Sequence, residues 1–166
     1  RISAIKALSI KKGRRIVERA FLESIHSDSF WGVRLEAVNG FAALKSKKYA
    51  KELMDLSVDQ DNRVRRAIWR ALKNYKGDKQ VSSFLEDIIS NDKKYYSVSD
   101  AFRSLVVIDS SAARKKVESL LKRDSHNDII RKSAITYFGD VISDINYDRL
   151  MELSEYGGTT WDARSE

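Results

Sequence analysis

Apolar residues recur along this chain at helical spacing, and the helical stretches themselves recur. In Asp28–Phe41 the residues Val33, Ala37, Val38 and Phe41 fall on one face of a 3.6-residue helix. Asp61–Leu72 repeats the pattern with Val64, Ile68, Trp69 and Leu72, and Asp92–Leu105 is a degraded third copy. Asp128–Phe138 is a fourth, Arg1–Leu8 lies inside another, and Trp161–Glu166 begins a last one. Between them Arg14–His26, Ser46–Val58, Asp78–Ser90, Ser110–Arg123 and Asn146–Tyr156 also read as amphipathic helices. Asp78 and Ser110 stand where N-caps belong. Strand-like alternation is missing throughout.

Aligned, the recurring stretches share a seam of small or apolar residues at Ala4, Ala37, Ile68, Ala101 and Ala134, in steps of 33, 31, 33 and 33. A sustained period of that length marks a repeat architecture. We term the recurring helices B and the helices between them A. Large apolar columns run through B at Val33/Val64/Ile130, Ile5/Val38/Trp69/Phe102/Ile135 and Leu8/Phe41/Leu72/Leu105/Phe138. A further column (Ala7, Gly40, Ala71, Ser104) stays small until Tyr137, as close helix–helix approach requires. Each large buried side chain contributes roughly 1.5–3 kcal/mol, yet one hairpin cannot enclose its own apolar face. The pattern therefore predicts an all-α fold, a right-handed α-α superhelix of about five helical hairpins, forming one domain over 1–166. Arg1 and Glu166 both fall in mid-motif, so the sequence reads as a fragment truncated at both ends.

Composition changes this picture in three respects. Proline is absent, where average usage would give about eight, consistent with long unbroken helices. Cysteine is absent too, which excludes disulfides and thiolate metal sites and fits a cytoplasmic protein. With no apolar run near the ~18 residues of a membrane span, no membrane association is expected. The net charge of +7 is uneven: residues 1–83 hold 19 Lys/Arg against 9 Asp/Glu, and residues 84–166 hold 12 against 15.

A polar column, Arg1, Arg34, Arg65, Arg131 and Arg164, runs beside the core and is broken by Val98. Acidic residues precede it at Asp28, at Asp59 or Asp61, and at Asp92. An Arg in a helix's first turn gains little from the dipole, which prefers anions there. The column is expected to be a structural ladder, each Arg reaching an acid or carbonyl of the adjacent repeat.

Val64-Arg65-Arg66-Ala67 with Ala71-Leu72, at this period, resembles HEAT repeats, which are scaffolds of many functions. Four segments in order are also similar to the C-terminal helical-repeat region of aminopeptidase N-like zinc peptidases. These are Asp28–Arg34 with Glu36-Ala37, Tyr95-Tyr96 with Asp100-Ala101, Asn127–Arg131, and Tyr156–Gly158 leading to Trp161–Arg164. That resemblance implies a non-catalytic tail of a zinc exopeptidase, shaping substrate access or docking a partner protein. The peptidase signature His-Glu-x-x-His is absent, so zinc is expected in the parent protein and no cofactor in this fragment.

Local chemistry gives no catalytic or metal-binding candidate. His26 and His126 stand at helix ends, and the paired carboxylates Asp59 and Asp61 read as turn residues. Trp31, Tyr95 and Trp161, recurring in alternate repeats, read as wedges between helix pairs. Two basic sets remain. Lys6, Arg66, Arg70, Arg103 and Lys132 occupy outward slots of the B helices and are the candidate partner-binding residues. Lys11, Lys12, Arg14 and Arg15, then Lys45, Lys47 and Lys48, then Lys73, Lys76 and Lys79 fall in or beside the B-to-A turns. That ridge carries the alternative reading, a free-standing nucleic-acid-binding solenoid. The ridge fades in later repeats, where Asp109, Asp140 and Asp144 occupy the turns, and the balance favours a protein partner.

Overall fold

The computed structural model describes residues 1–10, 15–44, 49–141 and 144–154. Among these residues all regular structure is helical, with ten α-helices. They are α1 (Ile2–Ile10), α2 (Arg15–Ser27), α3 (Trp31–Ala42), α4 (Ala50–Asp55), α5 (Asn62–Leu72), α6 (Lys79–Asn91), α7 (Tyr95–Ile108), α8 (Ser110–Leu121), α9 (Ile129–Asp140) and α10 (Asp144–Ser154). Short 3-10 turns lie at Leu56–Val58 and His126–Asp128. The odd-numbered helices are the B elements and the even-numbered ones the A elements, an all-α helical repeat. Two compact units are distinguished, Arg1–Phe84 and Leu85–Glu166, with the division inside α6.

In the first unit α1 lies on α3 and α3 on α5, while α2 covers α3 and α4 covers α5. Three contacts fix α1 and α3 side by side in parallel: Ile2 beside Gly32, Lys6 facing Glu36, and Ser9 beside Gly40. The B-helix columns fill the interior. Val33, Val38, Phe41, Val64, Ile68, Trp69 and Leu72 are all buried, joined by Val17, Phe21 and Ile25 of α2 and Leu53 of α4. In the second unit α7 lies on α9, α8 contacts both, and α10 lies on α9. Phe102, Leu105, Val117, Leu120, Ile130, Ile135 and Phe138 form that core.

Four of the five seam residues, Ala37, Ile68, Ala101 and Ala134, are fully enclosed. Ala4 and Ala7 are exposed instead. Helix α1 packs chiefly on α3, and these two alanines lie on its open side. A second departure concerns a cap. The α8 cap is Asp109, whose Oδ1 accepts from Ala112 N at 3.0 Å, so Ser110 is the first helical residue and not the cap. Asp109 precedes the helix with non-helical backbone, and from there its carboxylate reaches the orphan N–H that Ser110, already helical, cannot. Asp78 does cap α6, accepting from Gln80 N and Val81 N at 2.9 and 3.2 Å. The helix expected to run to Val58 tightens after Asp55 into the 3-10 turn Leu56–Val58.

The small column has a steric cause. A Cβ added at Gly40 would stand 2.6 Å from Phe21 Cζ and 2.8 Å from Ser9 Oγ. Phe21 is completely buried, so its ring has nowhere to move. At Gly139, on α9, an added Cβ meets no atom within 4 Å. Gly40→Ala is therefore expected to destabilise by about 1–3 kcal/mol despite the better helix former. Gly139→Ala should stabilise by up to about 1 kcal/mol. Urea denaturation of both variants checks this, and the two shifts should have opposite signs.

Candidate functional site

The arginine column and the turns it serves form the most ordered polar constellation in the first unit. The first turn of α3 carries Arg34 back over the α2–α3 turn, where Nη1 donates to the carbonyls of Asp28 and Ser29 at 2.8 and 3.2 Å. Its other edge meets Asp59 in a two-point pair, Nε to Oδ2 at 2.7 Å and Nη2 to Oδ1 at 3.0 Å. One guanidinium thus ties two successive A-to-B turns together. Both side chains are nearly enclosed, at 6% and 9% exposure. The Asp59 hydrogen bond raises the Arg34 pKa further against the cost of burial, which keeps it charged. A fixed fork matched to a carboxylate is a task for Arg and not Lys.

The turn acids share a second role. Asp28, Asp59 and Asp92 each accept from the N–H two residues on, at Phe30, Asp61 and Lys94, with distances of 2.9, 2.8 and 2.8 Å. Each carboxylate so closes its own turn. Arg1 reaches Asp28 at 3.1 Å, repeating at an exposed position the step from Arg34 to Asp59. Arg65 donates to the carbonyls of its own turn, Asp59 and Gln60. Arg131 binds Leu121 O at 2.8 Å and the carboxylates of Asp128 and Asp124. Its partner Asp128 and the preceding Asn127 both have positive φ, +52° and +50°, a region that Asn and Asp tolerate better than most residues. Arg164 lies outside the described residues.

Val98 breaks the column and is fully buried. The carbonyls of that turn find another donor. Arg123, just beyond α8, donates Nη1 to Ile89 O at 2.8 Å and Nη2 to Asp92 O at 2.6 Å. This substitution by a cation one period further along was not foreseen from the sequence; the missing Arg at position 98 was the available signal.

The candidate partner-binding residues divide between the units. Lys6, Arg66 and Arg70 belong to the first, Arg103 and Lys132 to the second. Lys6, Arg70 and Arg103 are exposed, Arg66 and Lys132 half-buried. Lys6 Nζ lies 3.6 Å from Glu36 Oε1, and Arg66, Arg70 and Lys132 each have interactions of their own. Arg66 and Arg70, one turn apart, present a common face of α5.

Trp31 is not a buried wedge. Its half-exposed ring lies under the Arg63 guanidinium, 3.4 Å from the centroid, and Asp61 holds that Arg by two hydrogen bonds of 3.0 and 2.7 Å. The stack was missed because Arg63 stands a repeat away in sequence. The Arg63 hydrogen bond holds the Asp61 carboxyl down to about 2. Tyr95, at the equivalent place in the second unit, sits beside Tyr96 and His126 with centroids 5.1 and 6.2 Å away. Trp161 lies outside the described residues, as do Lys11, Lys12, Arg14, Lys45, Lys47 and Lys48 of the turn set.

A cavity of about 400 Å³ lies beside Arg1 and Asp28, and two others bear on the candidate chemistry. One of about 370 Å³ is lined by His26, Ser27, Arg34, Asp59 and neighbouring turn residues, but Arg34 and Asp59 are committed to each other. The other, about 440 Å³ between α8, α9 and α10, has Val117, Tyr137 and Phe138 beside Arg149, which bridges Glu118 and Glu152. Among the described residues, no three His, Cys, Asp or Glu side chains gather as a metal site. No described helix is long and apolar enough to cross a membrane.

The period, the seam and the arginine-stapled turns define a helical-repeat protein. A family model for HEAT repeats matches residues 18–106, more than half of the chain, which therefore belongs to that family of scaffold and interaction modules. No curated protein matches the sequence.

Removing Arg34 leaves the enclosed Asp59 carboxylate without its partner. Arg34→Leu should cost about 3–5 kcal/mol, and Arg34→Lys should recover only part, since one ammonium cannot span both oxygens. Chemical denaturation of the two variants and of Asp59→Asn tests the pair through a double-mutant cycle. The Asp61 carboxyl is lower in the folded chain than its ordinary 3.8. The stability it adds is complete above that pH and is lost as pH falls toward about 2. In a carboxyl NMR titration Arg63→Ala should return the Asp61 midpoint toward 3.8.

Proposed function

We propose that this chain is a non-catalytic docking module whose B-helix face in the first unit, with Arg66 and Arg70 on α5, meets a partner protein. We further propose that it forms the C-terminal region of an aminopeptidase N-like zinc peptidase, in the cytoplasm, where it shapes access to the catalytic site. The observation that carries the docking reading is the division of labour along each B helix. One face is closed in the core, while the outward cations stay on the surface. Arg is favoured at interface hot spots because its planar fork and apolar stem both contribute on desolvation. The peptidase reading rests on the four ordered segments that begin at Asp28, Tyr95, Asn127 and Tyr156.

The test adds the purified chain to an aminopeptidase N-like catalytic domain lacking its own helical tail. Co-elution on gel filtration is expected, with altered hydrolysis of peptides longer than about six residues and unchanged hydrolysis of single aminoacyl amides. Arg66→Glu with Arg70→Glu should weaken co-elution at least tenfold, the loss of a hot-spot pair. No co-elution with wild-type chain would remove the peptidase reading, and an unaffected double variant would remove this face.

A further inference from the structure

We propose that the B-to-A edge of the first unit binds the phosphate backbone of a nucleic acid, with Arg15, Lys73, Lys76 and Lys79 as its described contacts. The inference is independent of the docking face above, because it concerns the ends of the B helices and not their sides.

The edge is assembled by three parallel helices. Ser9 near the end of α1 lies against Gly40 near the end of α3. Beyond α5, Asn74 Nδ2 donates to Ala42 O at the end of α3, at 3.3 Å. The C-terminal ends of α1, α3 and α5 therefore lie along one border. In sequence, the stretches 10–15, 43–48 and 73–79 that leave those ends hold ten basic residues and a single acid, Asp78. That acid is engaged in capping α6.

Two bland explanations fall short in magnitude. Helix C-termini attract cations, but each carries about half a negative charge, so three of them offset between one and two of the ten. Of the unit's acids, Glu18 and Glu52 stand in the first turns of α2 and α4 on this edge and offset two more, whereas Asp28, Asp59 and Asp61 lie at the other end of the B helices. There they are engaged by Arg1, Arg34 and Arg63. The length of α3 separates the two borders by about 18 Å, roughly twice the screening length at physiological salt. Arg15, Lys73, Lys76 and Lys79 are exposed, and none forms an ion pair with a described residue.

The α5–α6 turn also suits a polyanion better than an apolar peptide. Its one large apolar side chain, Tyr75, points inward at 3% exposure, and burial pushes the phenol up to about 12. Backbone bonds from Asn74, Tyr75 and Asp78 to Ala71, Leu72 and Tyr75 hold the turn in one shape. What faces outward is a row of ammonium groups. Lysines act on phosphate as point charges without base readout, so the edge should bind with steep salt dependence and little sequence preference.

The experiment is fluorescence anisotropy on the whole chain, with a labelled DNA duplex of about 20 base pairs and an RNA strand of like length. Binding at about 50 mM salt should weaken by at least tenfold at about 200 mM. Lys73→Glu/Lys76→Glu/Lys79→Glu should lower affinity at least tenfold and flatten the salt slope by about two to three. The same charge change at the exposed Lys93, Lys115 and Lys122 of the second unit should alter affinity less than about threefold. If the first triple unfolds by circular dichroism, Lys→Gln at the same three positions takes its place. Equal losses in the two triples would mean that net charge and not this edge binds, and would overturn the proposal. So would the absence of binding at low salt, or competition by poly-glutamate as effective as by the nucleic acids, which would make an acidic protein the ligand.

Discussion

Each helical hairpin of this chain presents an apolar face that it cannot cover itself, and covering it brings successive A-to-B turns close together. Those turns end helices, so they carry carbonyl oxygens without intrahelical donors and need partners once the stack excludes water. Arg34 meets that need on both sides at once: it fills two carbonyls of its own turn and pairs with the carboxylate of the next. Close approach of the helices at Gly40 and closure of the turns at Asp59 are two halves of one constraint. The apolar columns can approach as they do only where the polar ends are satisfied.

This constraint also orders the charges of the first unit. Acids gather at the A-to-B turns because arginines and turn N–H groups need acceptors there. Among the described residues, the exposed cations Arg15, Lys73, Lys76 and Lys79 stand at the B-to-A turns. The excess over what the helix C-terminal ends can offset is a property of the surface and not of the fold, since Lys73, Lys76 and Lys79 support no described ion pair. Stability and surface chemistry thus occupy opposite ends of the same helices.

The helical repeat was legible in the sequence because burial imposes a pattern on every copy. Val38, Trp69, Phe102 and Ile135 differ in size but occupy the same slot, and all are buried. The positions of the arginine column were legible for the same reason. Its expected reach to the adjacent repeat holds, among the described residues, only at Arg1 and Arg34, while Arg65 and Arg131 bond within their own turns. Features set by a partner distant in sequence were not legible. Trp31 reads as a core wedge until Arg63 is found over its ring, and Ser110 reads as a cap until the Asp109 carboxylate is seen to accept from Ala112 N. The exposure of Ala4 escaped as well, because periodicity reports what a slot holds and not whether a neighbour covers it. For the candidate surface, the sequence supplied the residues, while their division between helix sides and helix ends required coordinates.

The exchange of Val98 for Arg123 bears on how such a chain can be cut and recombined. A hairpin is the natural unit for deletion or for grafting between repeat proteins, yet the donor that closes the turn at Ile89 and Asp92 sits about a full period downstream. Excising the segment that contains α8 would strip two carbonyls in a hairpin left formally intact. Modularity here belongs to overlapping windows rather than to the visible hairpins, and a transplant that respected helix boundaries alone would carry an acceptor without its donor.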